Sequence, residues 1–129
     1  MEFPLSELVD RMTILKLKVE RLPEDNAMVE QFAIFSAEVK KQLDQFDDAT
    51  REKIKAEIAK IYEINGKIWD LEYAIRMGQL DEKRDLEEIG RRAIKIREYN
   101  KQRLHHKNNI ARLSCNLIMW DRKVDHASE

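Results

Sequence analysis

The chain has 129 residues, of which 38% are charged and 43% apolar, with three glycines, two prolines and a formal net charge of −1. That length fits one domain with a modest core, and the near-zero charge removes any global field for nucleic acid or an anionic membrane. No apolar run is long enough to cross a bilayer. A single cysteine, Cys115, excludes an intramolecular disulfide and reads as a small packing residue. The opening Met1-Glu2-Phe3-Pro4 has neither the basic start nor the apolar stretch of a secretory signal, so the expected location is the cytoplasm.

Leu, Ile, Ala, Glu, Lys and Arg with few breakers is the composition of long amphipathic helices. A first helix is predicted over 6–22, from Ser6 as N-cap to a stop at Pro23. Its stripe is Leu5, Leu8, Met12, Leu15, Val19 and Leu22; Val9, Ile14 and Leu17 widen the apolar face, as on a helix contacted from more than one side. After a Pro23-Glu24-Asp25-Asn26 turn, with Asp25 or Asn26 as cap, a second helix over 26–46 carries Met28, Phe32, Phe35, Val39, Leu43 and Phe46. A polar break with caps at Asp47 or Asp48 leads to a third helix over 49–77, with Ile54, Ile58, Ile61, Ile64, Ile68, Leu71 and Ile75 facing inward. Gly66 lies inside it, the signature of a neighbouring helix coming close, and Gly78 follows it as a C′ glycine. A fourth helix is predicted over 82–120, opening its stripe with Leu86, Ile89, Ala93 and Ile96 and closing it with Ile110, Leu113 and Leu117. Ile118, Met119 and Trp120 would pack on the first helix or on another subunit, and 121–129 reads as a polar tail.

Polar residues interrupt the two longest stripes, and a buried polar group needs a partner or a purpose. On the third helix Ile58, Tyr62, Asn65, Trp69, Glu72 and Arg76 share one face, mixing aromatic rings with an amide, a carboxylate and a guanidinium. The plain reading is an ordinary Glu72–Arg76 helix pair; the sharper one is a polar pocket or an interface. On the fourth helix Asn100, Arg103 and Lys107 replace the apolar stripe in its middle. A hairpin folded at Gly78 sets Asn100 beside Ile58 and Lys107 near the start of the third helix. The first helix laid across it brings Asp10, Thr13, Lys16 and Glu20 within reach. Arg103 and Lys107 can then grip a phosphate or carboxylate, or be neutralised by Glu72, Asp10 or Glu20 in a network that fixes helix register.

Eight bases between Arg91 and Arg112 face a single acid, Glu98, but acids between Glu24 and Glu52 offer internal complementarity, and nucleic-acid binding is disfavoured. His105 and His106 are adjacent and point about 100° apart on a helix, so they cannot share one metal. Acid pairs such as Glu7/Asp10 and Asp85/Glu88 are no more frequent than composition dictates. Neither a metal site nor a cofactor is expected, and no phosphate loop or nucleophile motif is present.

Three blocks, Ser6 to Lys18, Asn65 to Arg76 and Tyr99 to Ile110, together resemble an uncharacterised family of small helical bacterial proteins. That family pairs a leucine/valine-aspartate-lysine-isoleucine-threonine-isoleucine-leucine opening with later Asn-x-x-x-Trp and Asn-Asp-x-Arg blocks, and its members lie beside surface-glycan biosynthesis genes. The resemblance implies a shared centre at Asp10, Thr13, Lys16, Asn65, Trp69, Glu72, Arg76, Asn100, Arg103 and Lys107. It covers about half the chain, and two family acids are replaced, by Tyr73 and Lys101.

The expected fold is an all-α antiparallel helical bundle of about four helices built on a long C-terminal helical hairpin, forming a homodimer. The leading expectation is a non-catalytic interaction or accessory protein with a polar stripe at its centre. The alternative is an anion-binding or enzymatic bundle in which Arg103 and Lys107 hold the anion, Glu72 or Asp10 moves protons, and Tyr62 and Trp69 wall the pocket.

Overall fold

The computed structural model describes the backbone of residues 3–22 and 24–128, and side chains as far as residue 115. Four helices follow one another, α1 (Leu5–Arg21), α2 (Asn26–Leu43), α3 (Asp48–Arg76) and α4 (Leu86–Ser128), with no strand among the described residues. The protein is an all-α bundle, and no helix of the described residues is long and apolar enough to cross a membrane.

Helix α1 is the centre of the bundle and packs against all three others. Leu5, Leu8, Val9, Leu15 and Leu17 are all buried, which explains an apolar face too wide for a single neighbour. The cap differs from expectation. Pro4, not Ser6, holds that position, and its carbonyl accepts the N–H groups of Glu7 and Leu8, both at 3.0 Å. Proline suits the place because its missing N–H would have no helical partner there. The helix ends at Arg21, and Pro23 lies outside the described residues.

Helix α2 starts at the Asp25 cap, whose carboxylate accepts the Met28 N–H at 3.3 Å, and it packs on α1. It ends at Leu43 rather than 46, so α2 and α3 are separate helices. Phe46 is buried inside the break, and Asp47 caps α3 by accepting the Thr50 N–H at 2.7 Å. Arg51 closes the corner by donating to the carbonyls of Leu43 at 3.1 Å and Phe46 at 2.9 Å.

Gly78 ends α3 in the left-handed region at φ +71°, where a side chain would be strained. Gln79 N–H bonds Ala74 O at 2.8 Å and Gly78 N–H bonds Ile75 O at 3.2 Å, a Schellman closure. The chain then makes a turn rather than starting a helix at 82. Asp81 accepts the Lys83 N–H at 2.7 Å and Asp85 accepts the Asp81 N–H at 2.8 Å, so these side chains hold the backbone that a helix would need.

The longer turn resets the hairpin register. Arg92 reaches the Leu71 carbonyl, Arg103 reaches Asn65, and His106 and Asn109 reach Glu57. Asn100 therefore stands level with Asn65 and not Ile58, and Lys107 meets α1 rather than the start of α3. Leu86, 68% exposed, and Ala93 are on the surface where the stripe was expected to be buried, while Ile110 joins Leu8, Ile54 and Ile61 in the core. The α4 backbone stays helical to Ser128, past the expected end at 120 and through the expected tail. The packing expected of Ile118, Met119 and Trp120 lies outside the described side chains.

Gly66 is buried, yet a Cβ added there meets only Arg21 Nη2 at 3.6 Å and Leu17 Cδ2 at 3.7 Å, ordinary contact. Space for a methyl group exists, so close helix approach is not what holds a glycine here. Gly66→Ala is expected to stabilise the protein by about 1 kcal/mol through helix propensity, read as a rise of a few degrees in Tm. A fall in Tm would mean that α1 and α3 approach more tightly than these distances allow.

Candidate functional site

Three polar side chains are buried among the described residues: Asp10 and Thr13 on α1 and Asn65 on α3. They answer each other across the α1–α3 contact. Asn65 Nδ2 donates to Asp10 Oδ1 at 3.0 Å and to Thr13 Oγ1 at 2.9 Å, using both amide hydrogens. Thr13 in turn donates to the Asp10 carbonyl at 2.8 Å. From α4, Lys107 Nζ lies 3.4 Å from Asp10 Oδ2 and donates to Glu7 Oε2 at 2.9 Å. Arg103 completes the group with longer contacts, 3.4 Å to Asn65 Oδ1 and 3.9 Å to Asp10 Oδ1. Two carboxylates, Glu7 and Asp10, thus face two cations, Arg103 and Lys107, and the inner centre is charge-balanced. Such a network fixes the register of three helices at once, because no single helix can slide without orphaning a buried group.

The hydrogen bond from Lys107, with its charge and that of Arg11, outweighs desolvation and holds the Glu7 carboxyl below the ordinary glutamate range. A lowered folded-state pKa means the stabilisation is complete above the unfolded value and fades as pH falls through the folded one. Glu7→Gln should therefore be less stable than the parent at neutral pH, with the gap in Tm closing as acid is added. A gap of constant size across the acid range would show that the Glu7 charge contributes nothing.

Above this centre, a cleft of about 340 Å³ opens between α1, α3 and α4. Ile14, Leu17 and Ile68 give it an apolar base, Trp69 a wall, and Lys18, Asn65, Glu72, Arg76, Asn100 and Arg103 its polar lining. Arg76 donates to Glu72 at 3.2 Å, the ordinary helix pair, and also stands 4.8 Å above the Trp69 ring. Among the described residues Lys18 has no acid within 4 Å. With Arg103 already set against Asp10, Lys18 and Arg76 against Glu72 leave the lining one charge positive.

The eleven residues singled out from sequence thus divide into three groups. Asn65, Trp69, Glu72, Arg76, Asn100 and Arg103 line the cleft. Asp10, Thr13 and Lys107 belong to the network beneath it and do not line it; Lys107 and Arg103 meet at Asp10 rather than in the cleft. Lys16 and Tyr62 lie elsewhere: Lys16 Nζ sits 4.5 Å above the Tyr62 ring, and the Tyr62 hydroxyl donates to Glu20. That hydrogen bond, with some burial, raises the Tyr62 pKa. Tyr62 is therefore a clamp between α1 and α3 and not a pocket wall. Of the acids expected to neutralise Arg103 and Lys107, Asp10 faces both, and Glu7 joins it at Lys107 in place of Glu72 or Glu20.

Two participants were missed. Glu7 stands one turn before Asp10 on the same face of α1, and that spacing was its only signal. Lys18 stands four residues after Ile14, on the flank that the extra apolar positions had already marked as a second contact face.

Elsewhere, His106 Nδ1 meets Glu57 Oε2 at 2.5 Å and Asn109 donates to Glu57 at 3.3 Å, a second tie between α3 and α4. No group of three metal-ligating side chains exists among the described residues. Cys115 is exposed rather than packed. Of the eight bases of α4, Arg91 and Arg92 pair with Glu87 and Glu88 in its own first turn, and Arg103 and Lys107 with Asp10 and Glu7 on α1; none pairs with the acidic stretch of α2 among the described residues. Compared with known protein families, curated proteins and solved structures, the chain matches none.

Proposed function

We propose that this is a non-catalytic binding protein whose cleft receives a phosphate or carboxylate group on Arg103. One observation carries the reading. Lys107 lies within 3.4 Å of both Glu7 and Asp10, whereas the neighbouring Arg103 has only contacts of 3.4 Å and 3.9 Å and lines a cleft with more cations than carboxylates. A guanidinium carries five donors in a rigid fork, so its donors outnumber the partners that the network supplies. Its contacts to Asn65 and Asp10 keep the fork beside the cleft and leave donors to spare for an anion. The blocks that resemble the small helical bacterial family contain this same centre, and we read that family as built on it.

The test is a thermal-shift series at millimolar inorganic phosphate, sugar phosphates, nucleotides and dicarboxylates. A ligand at a hundred times its Kd stabilises by about 2.7 kcal/mol, a shift of several degrees. Arg103→Ala should abolish that shift, and Lys18→Ala, which touches no network partner, should weaken it without lowering Tm in buffer. No shift with any anion sinks the proposal.

A second reading, a homodimer, rests on α4 alone: Ile94 and Leu104 are 54% and 56% exposed. Light scattering of Leu104→Glu against the parent tests it, and identical masses for both proteins would remove that surface as the interface.

A further inference from the structure

We infer that two copies of this chain pair through the outer face of α2, antiparallel about a two-fold axis. The surface is separate from the cleft and does not rest on the anion reading. Helix α2 packs on α1 through one side, where Val39 and Leu43 are buried and Phe35 joins the same core. The opposite side is open. Glu30, Ile34, Ala37 and Lys41 are all exposed there, and spacings of four, three and four put them on one stripe. Ile34 is 56% exposed at the middle of that stripe, and Val29 on its flank is 45% exposed. Apolar side chains left in water at this helical spacing form the seam of a two-helix contact.

The charges choose the occupant. Among the described residues neither Glu30 nor Lys41 has an opposite charge within 4 Å. Glu30 stands four residues before Ile34, and Lys41 four residues after Ala37, so the stripe is its own complement when reversed. Against an antiparallel second copy, Glu30 meets Lys41 of the other chain, and Ile34 lies over the short Ala37. A two-fold axis repeats each of these contacts, because the same patch serves both chains. Parallel pairing would instead set Glu30 on Glu30 and Lys41 on Lys41, so like charges reject it.

The α4 surface tested above is the competing face, and it lacks this complement. Its exposed stripe runs Ile94, Arg97, Lys101, Leu104. Matching Ile94 to Leu104 of a second copy sets Arg97 on Lys101, and a parallel match sets each cation on itself. The α2 pairing is modest in size. Its 18 residues span about 27 Å, and one helix pair of that length belongs with the small interfaces, below about 1,200 Å². The dimer is therefore reversible and separates on dilution. Exposed ion pairs add little affinity, so Glu30 and Lys41 fix direction and register while Ile34 supplies the apolar contact.

The experiment is analytical ultracentrifugation of the full chain from micromolar to millimolar concentration at low salt. The mass is expected to rise with concentration from one chain towards two. Ile34→Lys places a cation between Glu30 and Glu38 at helical spacing, which suits the single chain, and should leave it monomeric throughout. Glu30→Lys or Lys41→Glu alone creates two like-charge contacts and should weaken the dimer about tenfold. The double variant Glu30→Lys, Lys41→Glu should recover the parent's affinity, and so should an equimolar mixture of the two single variants. All three positions are exposed, and far-UV circular dichroism of each variant checks the fold. A parent that stays monomeric to millimolar concentration would overturn the inference. So would a double variant as weak as the singles, which is the result a parallel contact gives. A dimer lost with Leu104→Glu and kept with Ile34→Lys would overturn it too, and assign the contact to α4.

Discussion

Asp10→Ala should lower the unfolding free energy by about 3 kcal/mol, measured by urea denaturation followed by circular dichroism. Asp10 is 5% exposed and, among the described residues, is the buried carboxylate that meets α3 and α4 together: Asn65 donates to it, and Lys107 and Arg103 face its two oxygens. Removing it orphans an amide hydrogen and takes from two cations the charge that offsets their desolvation. The expected cost stays near the lower end of the range for a broken buried pair because Lys107 keeps Glu7. Asp10→Asn retains an acceptor for Asn65 and should cost less. Asp10→Leu combined with Lys107→Met should cost less than the two single changes added together, since the pair leaves no uncompensated charge. A loss below about 1 kcal/mol for Asp10→Ala would mean the network is dispensable and water satisfies its members.

How far the sequence reveals this centre depends on which physical constraint places each residue. Helical periodicity is a local property, so the four helices and the inward faces of α1 and α3 are legible from spacing alone. Caps and closures are local as well: Asp25, Asp47 and Gly78 all stand where their chemistry requires. Register is not local. It hinges on whether residues 81–85 continue the helix or bond their own backbone, and Asp81 and Asp85 choose the second. That choice slides α4 along α3 and brings Arg103 to Asn65. Tyr62 shows another limit. It shares a face of α3 with Trp69, yet α1 passes over α3 at Gly66, against Leu17 and Arg21. Lys16 and Glu20 then hold Tyr62, while Leu17 and Lys18 line the cleft with Trp69. A periodicity argument assigns residues to a face, and only the crossing decides which side of the neighbour they end on.

The same register makes Ile110→Ala the largest apolar effect expected on α4, about 2–5 kcal/mol of lost stability. Ile110 is the one fully buried apolar side chain of α4 among the described residues, meeting the cluster of Leu8, Ile54 and Ile61 with the partly buried Leu113 beside it. Equivalent deletions near the hairpin turn should cost much less. Leu86 is 68% exposed and Ile94 is 54% exposed, so Leu86→Ala and Ile94→Ala should each stay within about 0.5 kcal/mol. Hydrogen exchange separates the two ends in one experiment: amides of α4 around Ile110 should exchange only through global opening, and those around Leu86 through local opening. Loss of Ile110 should therefore release α4 from α1 and carry Lys107 away from Glu7 and Asp10, three residues from the deleted side chain. If the Ile110→Ala variant keeps the protection of Asn65 and Lys107 amides while losing stability, the core and the polar centre are held independently. If both fall together, the apolar contact is what positions the charges.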